Sequence, residues 1–229
     1  MEKTVKILHI YPDLLNLYGD KGNIAALTHR LSWRGIKSEV IAYCGGELDL
    51  SDIDIVFLGG GSDRDEKIVC SALQQHRDAL SQYVENDGVM LAVCGGFPML
   101  GKYYYLGDEK IEGLGVLDMY ATPEKDRIIG DVVISSSLTN SKLVGFENRS
   151  VRVVSDKYSS LGDAIAGNGE SVVYKNLIAT FMHGPLLPKN PELCDYILSK
   201  ALKNHDGLTK LDDTEENNAK NAITARFIK

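Results

Sequence analysis

Short apolar runs that stop at turn residues, separated by stretches of helical period, restrict this chain to an α/β fold. VKILHIY (5–11), SEVIAYC (38–44), IDIVFLGGG (53–61) and VMLAV (89–93) have the length of strands, and the last two are continuously apolar, as in a buried parallel sheet. Between them, residues 20–34 place Ile24, Leu27 and Leu31, with Trp33 as a further candidate, on one helical face, and Gly35 closes that helix. Residues 63–85 repeat the pattern with Val69, Leu73, Leu80 and Val84. Strands joined by helices of this length require right-handed crossovers and hence a parallel sheet. The expected fold is a flavodoxin-like parallel sheet with helices on both faces and an antiparallel β extension. Ligands of such sheets bind beyond the carboxyl ends of the strands.

The extension is expected from LGVLDMYA, RIIGDVVISSS and LVGFENR, β-rich pieces between Gly113 and Arg152 with little helical period. IATFMHGPLLP (178–188) reads as one more buried strand ending at His183, and residues 191–205 as a helix with Pro191 in its first turn. With 229 residues, the chain suits one domain over 1–205 and a polar tail over 206–229, expected to be mobile or to dock a partner.

A formal net charge of −7 argues against nonspecific nucleic-acid binding. No apolar run reaches membrane-spanning length, and the first residues lead into a strand without a signal-peptide layout. Cys44, Cys70, Cys94 and Cys194 are widely spread, with no Cys-x-x-Cys pair. Reduced cytoplasmic thiols follow, rather than a disulfide frame or a zinc site.

Cys94 stands out because the VMLAV strand runs straight into it and then into Gly95 and Gly96. A strand–turn–helix bend of this kind exposes a nucleophile, and a helix N-terminus favours a thiolate. His183 is the candidate base, since it alone of five histidines ends an apolar strand and precedes a Gly-Pro turn. The backbone N–H groups of Gly59, Gly60 and Gly61 are candidate oxyanion donors beside that of Gly95, although the same glycines also suit a plain strand-to-helix turn. The Gly-Lys-Ser/Thr ending of a phosphate loop is absent.

Taken together, Val93-Cys94-Gly95-Gly96-Phe97, the LGGG loop and Met182-His183-Gly184-Pro185 resemble the class I, triad-type glutamine amidotransferases. NLYGDKGN (16–23), GGGSDRDE (59–66) and HGPLLPKNP (183–191) narrow the resemblance to the cobyric-acid-synthase-like (CobB/CobQ-like) group. Within it, the chain is most similar to the glutaminase subunits of lipid II isoglutaminyl synthases. The resemblance implies catalytic Cys94 and His183, oxyanion donors Gly60 and Gly95, and Arg127 as the binder of the glutamine α-carboxylate, with Arg64 a weaker competitor. It implies L-glutamine as substrate and no cofactor in this chain. A Mur-ligase-like synthetase partner would hold ATP and Mg²⁺ and amidate the D-glutamate of the peptidoglycan stem peptide. Two positions depart from the wider class: Pro185 stands where His-x-Glu triads carry their acid, and Ala92 where many relatives have glycine. Alternatives left open are a cobyric or cobyrinic acid-type amidation and a standalone cysteine hydrolase of the same fold.

Overall fold

A computed structural model of the protein describes residues 4–203 and 207–227. The first half holds β1 (Val5–Ile10), α1 (Lys21–Ser32), β2 (Ser38–Tyr43), β3 (Ile55–Leu58), α2 (Asp63–Leu73), α3 (Arg77–Glu85), β4 (Val89–Val93) and a single helical turn, α4 (Gly96–Met99). The second half is richer in strands: β5 (Tyr103–Leu106), β6 (Glu109–Glu112), β7 (Tyr120–Ser136), β8 (Ser141–Val154), β9 (Asp163–Ala166), β10 (Ser171–Tyr174) and β11 (Leu177–Thr180). Helices α5 (Pro191–Ala201) and α6 (Thr214–Thr224) complete the order.

The central sheet runs β10-β11-β4-β3-β1-β2, parallel throughout except for the edge strand β10. Strand alternation divides the core between its faces. Leu8, Val56, Leu58, Met90 and Ala92 pack with Val69, Leu73, Leu80 and Val84 of α2 and α3. Ile7, Ile55, Phe57, Leu91 and Val93 pack on the other side with Leu27 and Leu31 of α1 and Leu193 and Ile197 of α5. Each fully buried aliphatic side chain contributes about 1.5–3 kcal/mol. The order from β2 to β11 is the flavodoxin-like one, so the loops after β1, β3, β4 and β11 open on the same side.

Helix α1 ends as its sequence suggests. Gly35 has φ +71°, and Ile36 N–H reaches back to the Leu31 carbonyl at 3.0 Å, a Schellman-type closure. Trp33 lies past this end, 59% exposed and stacked on His29, so it is not part of the apolar face. The helix expected over 63–85 is broken by a 3₁₀ turn at Gln74–His76. Tertiary hydrogen bonds account for the break: Gln74 Nε2 donates to the Glu112 and Gly113 carbonyls, and His76 Nε2 is 2.8 Å from the Tyr43 hydroxyl.

The expected β extension is a long antiparallel hairpin of β7 and β8 with β9 alongside, longer than the separate pieces the sequence suggests. Helix α5 starts at Pro191 as expected but closes at Ala201, short of the expected 205, with Leu202 N–H reaching the Leu198 carbonyl at its end; His205 itself lies outside the described residues. Residues of the tail make ion pairs with the body of the fold. Arg30 of α1, nearly fully buried, forms ion pairs with Asp195 and Asp213, Lys220 of α6 pairs with Glu192, and Arg226 with Asp131.

Candidate active site

β4 delivers Cys94 to the carboxyl edge of the sheet in a strained conformation. Its φ is +53°, a left-handed value unfavourable for a residue with a Cβ. The bend is held from both sides: Cys94 N–H donates to the Thr180 carbonyl on β11 at 2.9 Å, and Phe97 N–H to the Cys94 carbonyl at 3.1 Å. The helix after the elbow has only one turn, so its dipole does little for a thiolate. Burial pushes the Cys94 thiol up, the Glu66 and Asp20 carboxyls push it further, and the Gly95 N–H and the Arg127 charge pull the other way. As it stands, the site holds a thiol.

Beside the elbow, the glycine loop after β3 approaches too closely for any side chain. A Cβ on Gly60 would lie 2.6 Å from Cys94 Cβ and 2.9 Å from its Sγ. Gly60, expected to offer an oxyanion donor, instead gives its N–H to Asp20 Oδ2 at 2.9 Å, and Gly61 gives its own to Glu66 Oε1 at 3.2 Å. Burial raises Asp20 to about 6 and Glu66 to about 8. Among the sequence-derived oxyanion donors, Gly95 alone presents its N–H to the sulfur in this arrangement.

His183 stands on the neighbouring chain segment, three residues beyond β11, and is paired through its backbone with Phe146 of β8. Its ring is buried, stacks on Tyr18 with centroids 4.2 Å apart, and meets Phe146 edge-on. Neither ring nitrogen has a hydrogen-bond partner. Burial, with the Lys189 cation behind it, lowers His183 to about 4, so the imidazole is neutral at physiological pH. Tyr18 continues outward as a relay: Asn148 Nδ2 donates to its hydroxyl at 2.9 Å, and Arg127 Nε donates to Asn148 Oδ1 at 2.6 Å.

Cys94 and the Tyr18–Asn148–Arg127 chain border a cavity of about 450 Å³, in the range that suits a small metabolite. Cys94, Gly95, Arg127 and Arg64 all line it; His183 does not, and Tyr18, stacked on it, does. Cys44 is exposed while Cys70 and Cys194 are buried away from this wall, and all four cysteines are free thiols.

Sequence reasoning missed Tyr18, Asp20, Glu66 and Asn148. The first two lie in NLYGDKGN, whose contacts explain the motif. Asn16 Oδ1 accepts from Lys21 N–H, Asp20 accepts from Gly60, and Asn23 Oδ1 accepts from Leu187 N–H at 2.8 Å. Gly22 leaves room for Pro185. The segment thus ties the loop after β1 to the glycine loop after β3 and to the loop that carries His183. Its position beyond the end of β1 was the available signal.

A cysteine at a strained elbow, with a histidine following the adjacent parallel strand on a sheet of this order, is the design of the class I glutamine amidotransferases. At the level of the fold, a solved glutamine amidotransferase agrees, with a TM-score of 0.59 at 18% identity over 85% of this chain and 98% of its own. The chain belongs to the CobB/CobQ-like glutamine amidotransferase family, whose domain matches residues 6–191. It is 41% identical over 204 residues to "Lipid II isoglutaminyl synthase (glutamine-hydrolyzing) subunit GatD" of Staphylococcus aureus (strain N315), covering 85% of this chain and 83% of that one. The corresponding GatD subunit of Streptococcus pneumoniae (strain ATCC BAA-255 / R6) is 37% identical over 214 residues, covering 89% and 82%.

Proposed function

We propose that this chain is the glutaminase subunit of a lipid II isoglutaminyl synthase, hydrolysing L-glutamine and passing the ammonia to a Mur-ligase-like partner. The observation that carries the reading is similarity to two GatD subunits along most of their length, with an elbow cysteine at the cavity wall. The ATP and Mg²⁺ for activating the acceptor carboxylate, the D-glutamate of the stem peptide, belong to that partner. Four free thiols fit a cytoplasmic setting. Among the described residues, no helix is long and apolar enough to cross a membrane.

Arg127 holds the α-carboxylate of glutamine through its forked donors and points the side-chain amide inward. Cys94 Sγ attacks the amide carbon while His183 takes the thiol proton, and the C–O π bond becomes an oxyanion held by the Gly95 N–H. The Gly60 N–H joins it on release from Asp20, a donor worth about 3–4 kcal/mol in comparable sites. Collapse expels ammonia, which carries the proton returned by His183. Water, deprotonated by His183, then cleaves the glutamyl thioester to glutamate and restores the thiol. Ammonia must pass directly to the partner, because in neutral water it becomes unreactive ammonium.

The unpartnered ring of His183 and the proline at position 185 support one further element of this reading. A carboxylate of the partner subunit orients the imidazole and fixes its tautomer, so the chain alone works at best as a slow Cys–His dyad. The test is glutamate release from glutamine by wild type and Cys94→Ser, each with and without the co-expressed Mur-ligase-like subunit. Cys94-dependent release, boosted by the partner, is the expected result. Release that survives Cys94→Ser, or none even in the complex, rejects the glutaminase reading; equal rates with and without the partner reject the oriented histidine.

A further inference from the structure

Glu66 is a buried acid at the centre of the site that the chemistry above leaves unused. Ser62 caps α2 by accepting from Asp65 N–H, which sets Glu66 in the first turn with its carboxyl folded back to accept from Gly61 N–H. That carboxyl fills the space a side chain on Gly95 would occupy, since a Cβ there would collide with both oxygens and the carboxyl carbon. The backbone of Gly95 is ordinary helical, φ −61° and ψ −24°, so its conformation does not call for glycine. In this arrangement the Glu66 carboxyl occupies the space of a side chain at residue 95. The acid of α2 and the missing side chain after the nucleophile form one fitted unit, 6% exposed and lining the same cavity as Cys94.

The groups that face this unit come from several elements. Asp63, Asp65 and Cys70 lie on α2 itself, Asp20 in the loop after β1, Cys94 at the elbow and Tyr104 on β5. Arg127 of β7 acts on Cys94, and Arg64 shares the cavity wall. The charges that reach Glu66 are acidic, and with burial they raise it to about 8, so at neutral pH it is a carboxylic acid. An uncharged acid tolerates a thiolate beside it, whereas a carboxylate and a thiolate in one water-poor pocket repel.

We propose that Glu66 is a positioning residue for the nucleophile: uncharged, it fills the side-chain space of Gly95 and permits a thiolate at Cys94, and ionised, it suppresses that thiolate. The proposal rests on Cys94 being the nucleophile. Its test is the rate of Cys94 alkylation by iodoacetamide in the full chain, from about pH 7 to about pH 9.5, read by mass spectrometry of the Cys94 peptide. This readout separates Cys94 from the exposed Cys44. For a thiol that titrates above this range, the rate climbs about tenfold per pH unit. In wild type the climb flattens above about pH 8, where Glu66 loses its proton. Glu66→Gln keeps the shape without the titration, so its rate climbs throughout and exceeds wild type by about 30-fold at pH 9.5, the result of 1.5 pH units at tenfold each. Asp20 and His183 titrate near 6 and 4, below the window, so they do not produce the bend.

A straight wild-type profile overturns the proposal even if the variant does not fold, and a Glu66→Gln profile that bends like wild type overturns it as well. Failure of the glutaminase reading is separate: glutamine hydrolysis that survives Cys94→Ser would remove the role of Cys94 without altering the alkylation profile.

Discussion

Gly60→Ala is the sharpest test of how the glycine loop after β3 and the nucleophile fit. Carbon atoms in contact sit about 3.5–4.0 Å apart. The added methyl would lie 2.6 Å from Cys94 Cβ, 2.9 Å from its Sγ and 3.0 Å from Gly95 N, an overlap of roughly 1 Å with the group that reacts. Both sides are held in the resting site. Gly60 is pinned by its N–H to Asp20 and by its carbonyl, which accepts from Leu17 N–H at 3.2 Å, and Cys94 is pinned to Thr180. Overpacking of a tight site costs about 1–3 kcal/mol, and a 1 Å displacement of a reacting atom costs about 100-fold in rate. The expected variant folds with a lowered urea midpoint and loses about 100-fold in glutaminase kcat, measured as glutamate release in the complex. Gly130→Ala is the control, because nothing lies within 4 Å of its added methyl; it should stay within about 0.5 kcal/mol of wild type. A Gly60→Ala protein with wild-type midpoint and wild-type rate would refute the steric argument.

Two further outcomes follow from side-chain contacts. Arg127→Ala removes a charge-assisted anchor worth about 1.5–3 kcal/mol, so KM for glutamine should rise about 10- to 150-fold with kcat much less affected; an unchanged KM would assign the α-carboxylate elsewhere. Arg30→Met strips Asp195 and Asp213 of their shared partner, while Arg34 still holds Asp195 at 2.6 Å and both acids keep some solvent contact. A loss of about 2–3 kcal/mol is expected in urea unfolding, below the full penalty for breaking a buried pair, with faster limited proteolysis between α5 and α6; unaltered stability and cleavage would show that the clasp is idle.

The parallel sheet was legible because each strand states its own burial: IVFL and VMLAV are apolar on both sides, as only an internal strand can be. The bend at Cys94 was legible from the glycines after it, and Arg127 was singled out only through resemblance, since its partner Asn148 lies on another strand. What escaped notice shares one character. Tyr18, Glu66 and Asn148 act through contacts across the fold, to His183, Gly95 and Tyr18, and no local pattern marks such pairs. The break between α2 and α3 has the same origin, because its hydrogen bonds run to Tyr43 and to the loop at Glu112 and Gly113. Gly60 was expected to offer its amide to an oxyanion, whereas here that amide meets Asp20, and a sequence does not tell which acceptor an amide finds.

The clasp at the C-terminal end changes how truncations of this protein should be interpreted. Asp213, Lys220 of α6 and Arg226 beyond that helix pair with Arg30 of α1, Glu192 of α5 and Asp131 of β7, the elements that continue from the Tyr18–Asp20 loop, continue from the His183 loop and carry Arg127. The clasp works as a strap across three elements that lead into the site: Glu192 lies in the first turn of the helix that follows the His183 loop, and Asp131 lies on the same strand as Arg127. A shortened chain that binds its partner poorly or turns over slowly would therefore not identify the tail as a docking segment. Charge-reversed pairs, such as exchanging Lys220 with Glu192, would keep the strap while altering its surface, and they separate the two roles where a deletion merges them.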